Sequence, residues 1–184
     1  MLDRITLITG NPGKAAEYAA LLGITVTPAR AELTEVQALD VAKVAARKAT
    51  DAFAQLREPV LVDDSGLAIH AWNGLPGALI AWFIETVGPQ GILEMTTSLN
   101  DRRATVTTAL GYADADGTRV FQGAVTGTLA TELRGTSGFG YDPIFIPDSD
   151  DSHRTYAQMT SEEKNKISHR RRAVDAMRDA LGLQ

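Results

Sequence analysis

The chain has 184 residues, 44% of them apolar, with a formal charge of −5, no cysteine and three histidines. That suffices for one globular domain with a real core. It excludes a disulfide framework, a thiolate nucleophile and a histidine-rich zinc site, so any metal is expected to be a hard, oxygen-bound ion such as magnesium. The acidic balance argues against a broad nucleic-acid surface, and no apolar run reaches the roughly 18 to 20 residues of a membrane span. The opening Met1-Leu2-Asp3-Arg4-Ile5 lacks the layout of a signal peptide. A cytoplasmic protein is expected, with neither a membrane nor a nucleic-acid polymer as partner.

In chain order, Ile5 to Thr9 reads as a short buried strand, then Asn11 caps a helix that has Pro12 at its first position and runs to about Leu22. Ile24 to Thr27 predicts a second strand. Asp40 to Gln55 predicts a helix, with Val41, Val44, Ala45, Lys48, Ala49 and Ala52 at helical spacing. Val60-Leu61-Val62 is a third strand ending in acid. Turns at Asn73-Gly74 and Pro76-Gly77 precede a bulky apolar segment, Ala78 to Val87, that Gly88-Pro89 stops. Residues 104–113 and 118–130, around Asp114-Ala115-Asp116-Gly117, form a hairpin of two long strands. Asp148 to Ser152 is a solvated loop. Thr160-Ser161-Glu162-Glu163 is a capping box, from which one or two helices run to about Leu181. Strands that first alternate with helices and then pair as a hairpin predict a mixed α/β architecture.

Four segments carry candidate chemistry. Thr9-Gly10-Asn11-Pro12-Gly13-Lys14 joins a strand to a helix start, where free N–H groups, the helix dipole and a lysine favour phosphate. Ile8 and Ala15 stand where a Walker A loop needs glycine and Ser or Thr, so this is not a P-loop. Asp63-Asp64-Ser65-Gly66 sets two repelling carboxylates side by side, which magnesium would compensate. Along an extended chain they point opposite ways, so one faces a given ion, and Glu35 could add an oxygen. Gly138-Phe139-Gly140-Tyr141-Asp142-Pro143 alternates glycines with flat rings, suited to stacking a base or to plugging a core in a turn. Lys164, His169 and Arg170 lie in a basic run that is either solvated or faces a cleft. In a cleft its N–H groups would donate to a keto oxygen, whereas an amino group would leave donor facing donor, at a cost of roughly 1 to 3 kcal/mol.

Taken together, these segments resemble the non-canonical purine nucleoside triphosphate pyrophosphatases, the inosine triphosphatase family. The match comprises Thr9 to Lys14 with Glu17, Asp63-Asp64-Ser65-Gly66-Leu67, Leu75-Pro76-Gly77, Phe139 to Pro143, Glu163-Lys164 and Ser168-His169-Arg170, in family order over nearly the whole chain. The resemblance implies an elongated mixed sheet with flanking helices, folded as a single two-lobed domain over residues 1–184 around a central nucleotide cleft. It implies magnesium-dependent hydrolysis of inosine, deoxyinosine or xanthosine triphosphate to the monophosphate and pyrophosphate, in a homodimer. Thr9, Gly10, Asn11, Pro12, Gly13 and Lys14 would then hold phosphate, and Lys43 would be the nucleotide-facing lysine of the second helix. Glu35 and Asp64 would bind the metal, with Asp64 also accepting the proton of water, and Ser65 would touch substrate. Phe139 and Tyr141, with Gly140 between them, would sandwich the base, and Asp142, Lys164, His169 and Arg170 would line its pocket. Ala81 stands where some relatives place a lysine, so no contact is assigned there. A related pyrophosphatase for modified pyrimidine or methylated guanine nucleotides, and a non-catalytic nucleotide sensor, are the alternatives.

Overall fold

The computed structural model describes residues 3–10 and 12–183. In order, β1 (Arg4–Ile8), α1 (Pro12–Leu22), β2 (Thr25–Ala29), α2 (Val41–Leu56) and β3 (Val60–Ile69) form the first part. There follow β4 (Pro76–Gly77), α3 (Ile80–Thr86), α4 (Gly88–Met95), β5 (Arg103–Asp114), β6 (Gly117–Leu129), β7 (Phe145–Pro147), α5 (Ser161–Ile167) and α6 (His169–Leu181). One sheet gathers the strands in the order β2-β1-β3-β5-β6-β7, with β4 beside β3. β1 runs parallel to β2 and β3, and the remaining pairs are antiparallel. The mixed sheet, the hairpin and the carboxy-terminal helices are those expected from the sequence.

Two boundaries differ. β3 does not end at the acids: β5 pairs with it from Val60↔Ala113 to Ile69↔Ala104, so Asp63 and Asp64 lie in mid-strand. A long partner keeps the ladder going through polar residues that would end a short strand. Gly88-Pro89 stops α3 but also starts α4. Gly88, at φ 68, breaks the first helix, and Pro89 lies in the next one's first turn, where no N–H is needed. The apolar segment before it is only partly inside, with Ile80 buried and Trp82 64% exposed.

The period of two in β3 decides what each acid faces. Leu61 packs with Leu7, Tyr18, Leu22 and Met177 on the α1 and α6 side, whereas Val60 and Val62 pack with Val41, Ala45 and Ala49 of α2. Asp63 therefore turns toward α1 and α6, and Asp64 toward α2. Further along, Leu67 and Ile69 enter a third core with Ile80, Ile92, Phe145 and Tyr156. Thr160 and Glu163 form the predicted capping box of α5. Ser168 then ends α5 and caps α6, accepting from Arg171 N at 3.1 Å. This tight joint brings Lys164, His169 and Arg170 together.

α6 lies so close to β6 that a Cβ on Gly123 would run into His169 O and Ala173 N. Gly123→Ala is expected to destabilise the protein by roughly 2 to 3 kcal/mol through this overpacking, measured as a lowered urea midpoint.

Candidate functional site

A cavity of about 390 Å³ opens where β3, the Phe139 segment and the α5–α6 joint meet. Lys14, Glu35, Asp64, Ser65, Phe139, Gly140, Tyr141, Asp142, Lys164, His169 and Arg170, all candidates from the sequence, line it. Thr9 and Gly10 line an adjoining cavity of about 460 Å³ that shares Lys48 and Asp63 with the first. Pro12 and Gly13 form the first turn of α1, and Asn11 lies outside the described residues.

Lys43 is the residue that has to be corrected. It is exposed and does not line either cavity, whereas Lys48 lines both. Five residues are about 500° of helix, so the two lysines cannot share a face. Lys48 Nζ lies 2.7 Å from Asp64 Oδ1 and 3.0 Å from Glu35 Oε1. The signal was present in the sequence, because Lys48 is the one charged member of an otherwise apolar helical stripe and so points at the sheet.

Each acid of the pair has its own electrostatic setting. Burial pushes the Asp64 carboxyl above its ordinary pKa, with Lys48 opposing, and Asp64 Oδ2 is buried without a hydrogen-bond partner. Asp63 Oδ2 lies 3.4 Å from Lys14 Nζ and 3.3 Å from Arg170 Nε. Burial alone would raise the Asp63 carboxyl as well, but these two cations hold it well below the usual carboxylate range. Its other oxygen is reached by Ser65 Oγ, 3.2 Å away, which also meets Thr108 Oγ1 at 2.9 Å.

The glycine-aromatic segment is held by Asp142. This buried carboxylate accepts from Phe139 N at 2.8 Å and from Lys164 Nζ at 2.6 Å. Gly138, at φ 77, gives it room, since a Cβ there would meet Asp142 Oδ2. Phe139 is left half exposed, with Lys164 Nζ 5.1 Å and Arg170 Cζ 5.5 Å from its ring centroid. Tyr141 is buried, and its hydroxyl lies 3.0 Å from His169 Nε2. Burial, helped by Arg170 and Lys164, pushes the imidazole pKa well down, so His169 is neutral, while burial raises the Tyr141 phenol and keeps it protonated. A Tyr141 hydroxyl donating to Nε2 places the imidazole proton on Nδ1, a buried atom with no partner.

Arg170 was expected to present its donors to a ligand, yet most are engaged by the protein. Nη1 donates to both oxygens of Glu17 at 3.0 Å, and Nε to Tyr18 Oη at 3.2 Å and Asp63 at 3.3 Å. Tyr18 and the pairing role of Asp63 are not among the expectations from the sequence. Lys14, Glu17 and Tyr18 recur at helical spacing, the pattern that could have shown them sharing a face.

A family model described as the Ham1 family matches residues 5–180. The chain belongs to the Ham1 family. A Thermococcus kodakarensis protein named dITP/XTP pyrophosphatase is 41% identical over 93% of each chain. A Trypanosoma cruzi protein named inosine triphosphate pyrophosphatase 2 is 38% identical over 95% of this chain and 90% of its own. The solved Ham1 protein of Staphylococcus aureus superposes with a TM-score of 0.86 at 29% identity, covering 97% of this Ham1 chain and 98% of that one.

A carboxyl with a lowered folded pKa stabilises the fold above its unfolded value of about 3.9 and ceases to do so as pH falls toward the folded value. Asp63→Asn is therefore expected to cost about 3 kcal/mol at pH 7, because it removes the charge that pairs the buried Arg170 and the partly buried Lys14 and leaves Arg170 with Glu17 as its one carboxylate partner. In urea unfolding the gap from wild type should narrow below about pH 4.

Proposed function

We infer that this chain hydrolyses non-canonical purine nucleoside triphosphates, namely ITP, dITP and XTP, to the monophosphate and pyrophosphate. The carrying observation is that one cavity joins lysines suited to a phosphate chain, a carboxylate with a buried, unpartnered oxygen, and two aromatic rings with arginine beside one and histidine beside the other. Membership of the Ham1 family, with relatives named for these activities, supports the same reading.

In this reading the base lies against Phe139, which supplies affinity without choosing among bases. Tyr141 contributes chiefly through His169, the neutral imidazole whose Nδ1–H meets a 6-keto oxygen. An adenine amino group there would set donor against donor. Lys14 and Lys48 hold phosphates. Water attacks the α-phosphorus, the bond to the bridging oxygen breaks, pyrophosphate departs, and Asp64 takes the proton of the water. Its raised pKa makes the ionised Asp64 a stronger base than an ordinary carboxylate.

Magnesium fits the donors present. Among the described residues no cluster of three or more His, Asp and Glu side chains gathers at a point. This ion needs only one or two carboxylates with substrate phosphates, and Glu35 and Asp64 are such a pair, already drawing one ammonium between them. Bound there, it would supply positive charge against the charge developing on the leaving group. The enzyme is proposed to work as a homodimer on the free nucleotide pool of the cytoplasm. Among the described residues, no helix is long and apolar enough to cross a membrane.

Pyrophosphate release from inosine, deoxyinosine, xanthosine, guanosine, adenosine and thymidine triphosphates, with and without magnesium, tests the reading. Rapid turnover of the first three and slow turnover of adenosine triphosphate is expected, and the reverse order would overturn it. Asp64→Asn should lose at least about 100-fold in kcat while still binding nucleotide. The acid limb of wild-type kcat/KM should fall above about pH 4, because burial holds the Asp64 pKa up.

A further inference from the structure

Arg170 is gripped from two sides. Glu17 takes both contacts at Nη1, which by itself leaves the guanidinium free to swing about that nitrogen. The second grip is at Nε, where Tyr18 Oη and Asp63 Oδ2 meet it at 3.2 and 3.3 Å. Asp63 Oδ2 is shared with Lys14, so its position depends on the phosphate-side loop. Tyr18 is different. It is fully buried among Leu7, Leu22, Leu61 and Met177, and its ring centroid lies 5.7 Å from Arg170 Cζ. The guanidinium carbon thus lies near two rings, that of Tyr18 and that of Phe139, the latter 5.5 Å away. Among the described residues Nη2 has no hydrogen-bond partner.

We propose that Tyr18 is a positioning residue for base selection: it locks the Arg170 guanidinium so that Nη2 remains directed to the keto edge of a purine lying on Phe139. The proposal rests on the substrate reading given above. The chemistry suits the task, because a phenol adds no charge to a site where Glu17 and Asp63 already balance Arg170 and Lys14. Burial, reinforced by Asp63, keeps the hydroxyl protonated, so its oxygen accepts from Arg170 while its proton serves Asp63. Phenylalanine at this position would keep the packing and lose both contacts.

The test compares kcat and KM for inosine and adenosine triphosphates in wild type, Tyr18→Phe, Arg170→Lys and the double variant, with thermal melting of each. Tyr18→Phe is expected to fold and to lower the inosine-over-adenosine ratio of kcat/KM about tenfold, as expected when a hydrogen bond to a charged group is lost. Most of this should come from a raised KM for inosine triphosphate. In the Arg170→Lys background the same substitution should barely change the ratio, since Tyr18 acts through Arg170. An unchanged ratio in Tyr18→Phe, an equal fall in both backgrounds, or a Tyr18→Phe protein too unstable to assay would each overturn the proposal. A wild type that does not prefer inosine triphosphate would instead overturn the substrate reading, and this inference with it.

Discussion

The buried ion cluster around Asp63 is the contact on which the rest of the cleft depends. A carboxylate taken out of water costs several kcal/mol unless it is closely paired, and Asp63 finds Lys14 from α1 and Arg170 from α6 on one oxygen. Those partners come from the two ends of the chain and from the two ends of the proposed nucleotide. The pairing therefore draws the phosphate-side helix and the base-side helix to one strand. It also explains why adjacent aspartates do not compete, since the strand's alternation sends Asp63 to a structural pairing and leaves Asp64, with an unpartnered oxygen, to the α2 side.

Affinity and selection fall to different residues. Phe139 gives a face to any flat base, and Asp142 holds that face by its backbone and through Lys164. Discrimination in the proposed reaction belongs to the edge, where His169 is kept neutral by burial and Arg170 is held by Glu17, Tyr18 and Asp63. A charged imidazole, or a guanidinium free to turn, would attract electron-rich groups without distinguishing among them. Rigidity at this edge is thus part of the chemistry and not a by-product of packing.

Much of this was legible before any coordinates. Glycine and proline punctuation, the capping box at Thr160 and the Thr-rich hairpin each carry local physics, and the structure places them as expected. The ordered motifs place Lys14, the acids, the glycine-aromatic segment and the carboxy-terminal donors on one cavity, with Thr9 and Gly10 on the one adjoining it. What could not be read was set by partners distant in sequence. β3 passes through its acids because β5 pairs along it, and Lys48 rather than Lys43 reaches Asp64 because of helical phase against the sheet. The engagement of Arg170 by Glu17 and Tyr18 joins residues more than 150 positions apart. No local pattern encodes a contact of that range, although the Lys14, Glu17 and Tyr18 spacing marks one of its faces.

The most direct test is a crystal structure of Asp64→Asn with inosine triphosphate bound. The account predicts the hypoxanthine ring against Phe139, its keto oxygen within hydrogen-bond distance of His169 or Arg170, and the phosphates running to Lys14 and Lys48. A nucleotide bound the other way round, with phosphates beside Phe139 and the base at the Thr9–Lys14 loop, would contradict it.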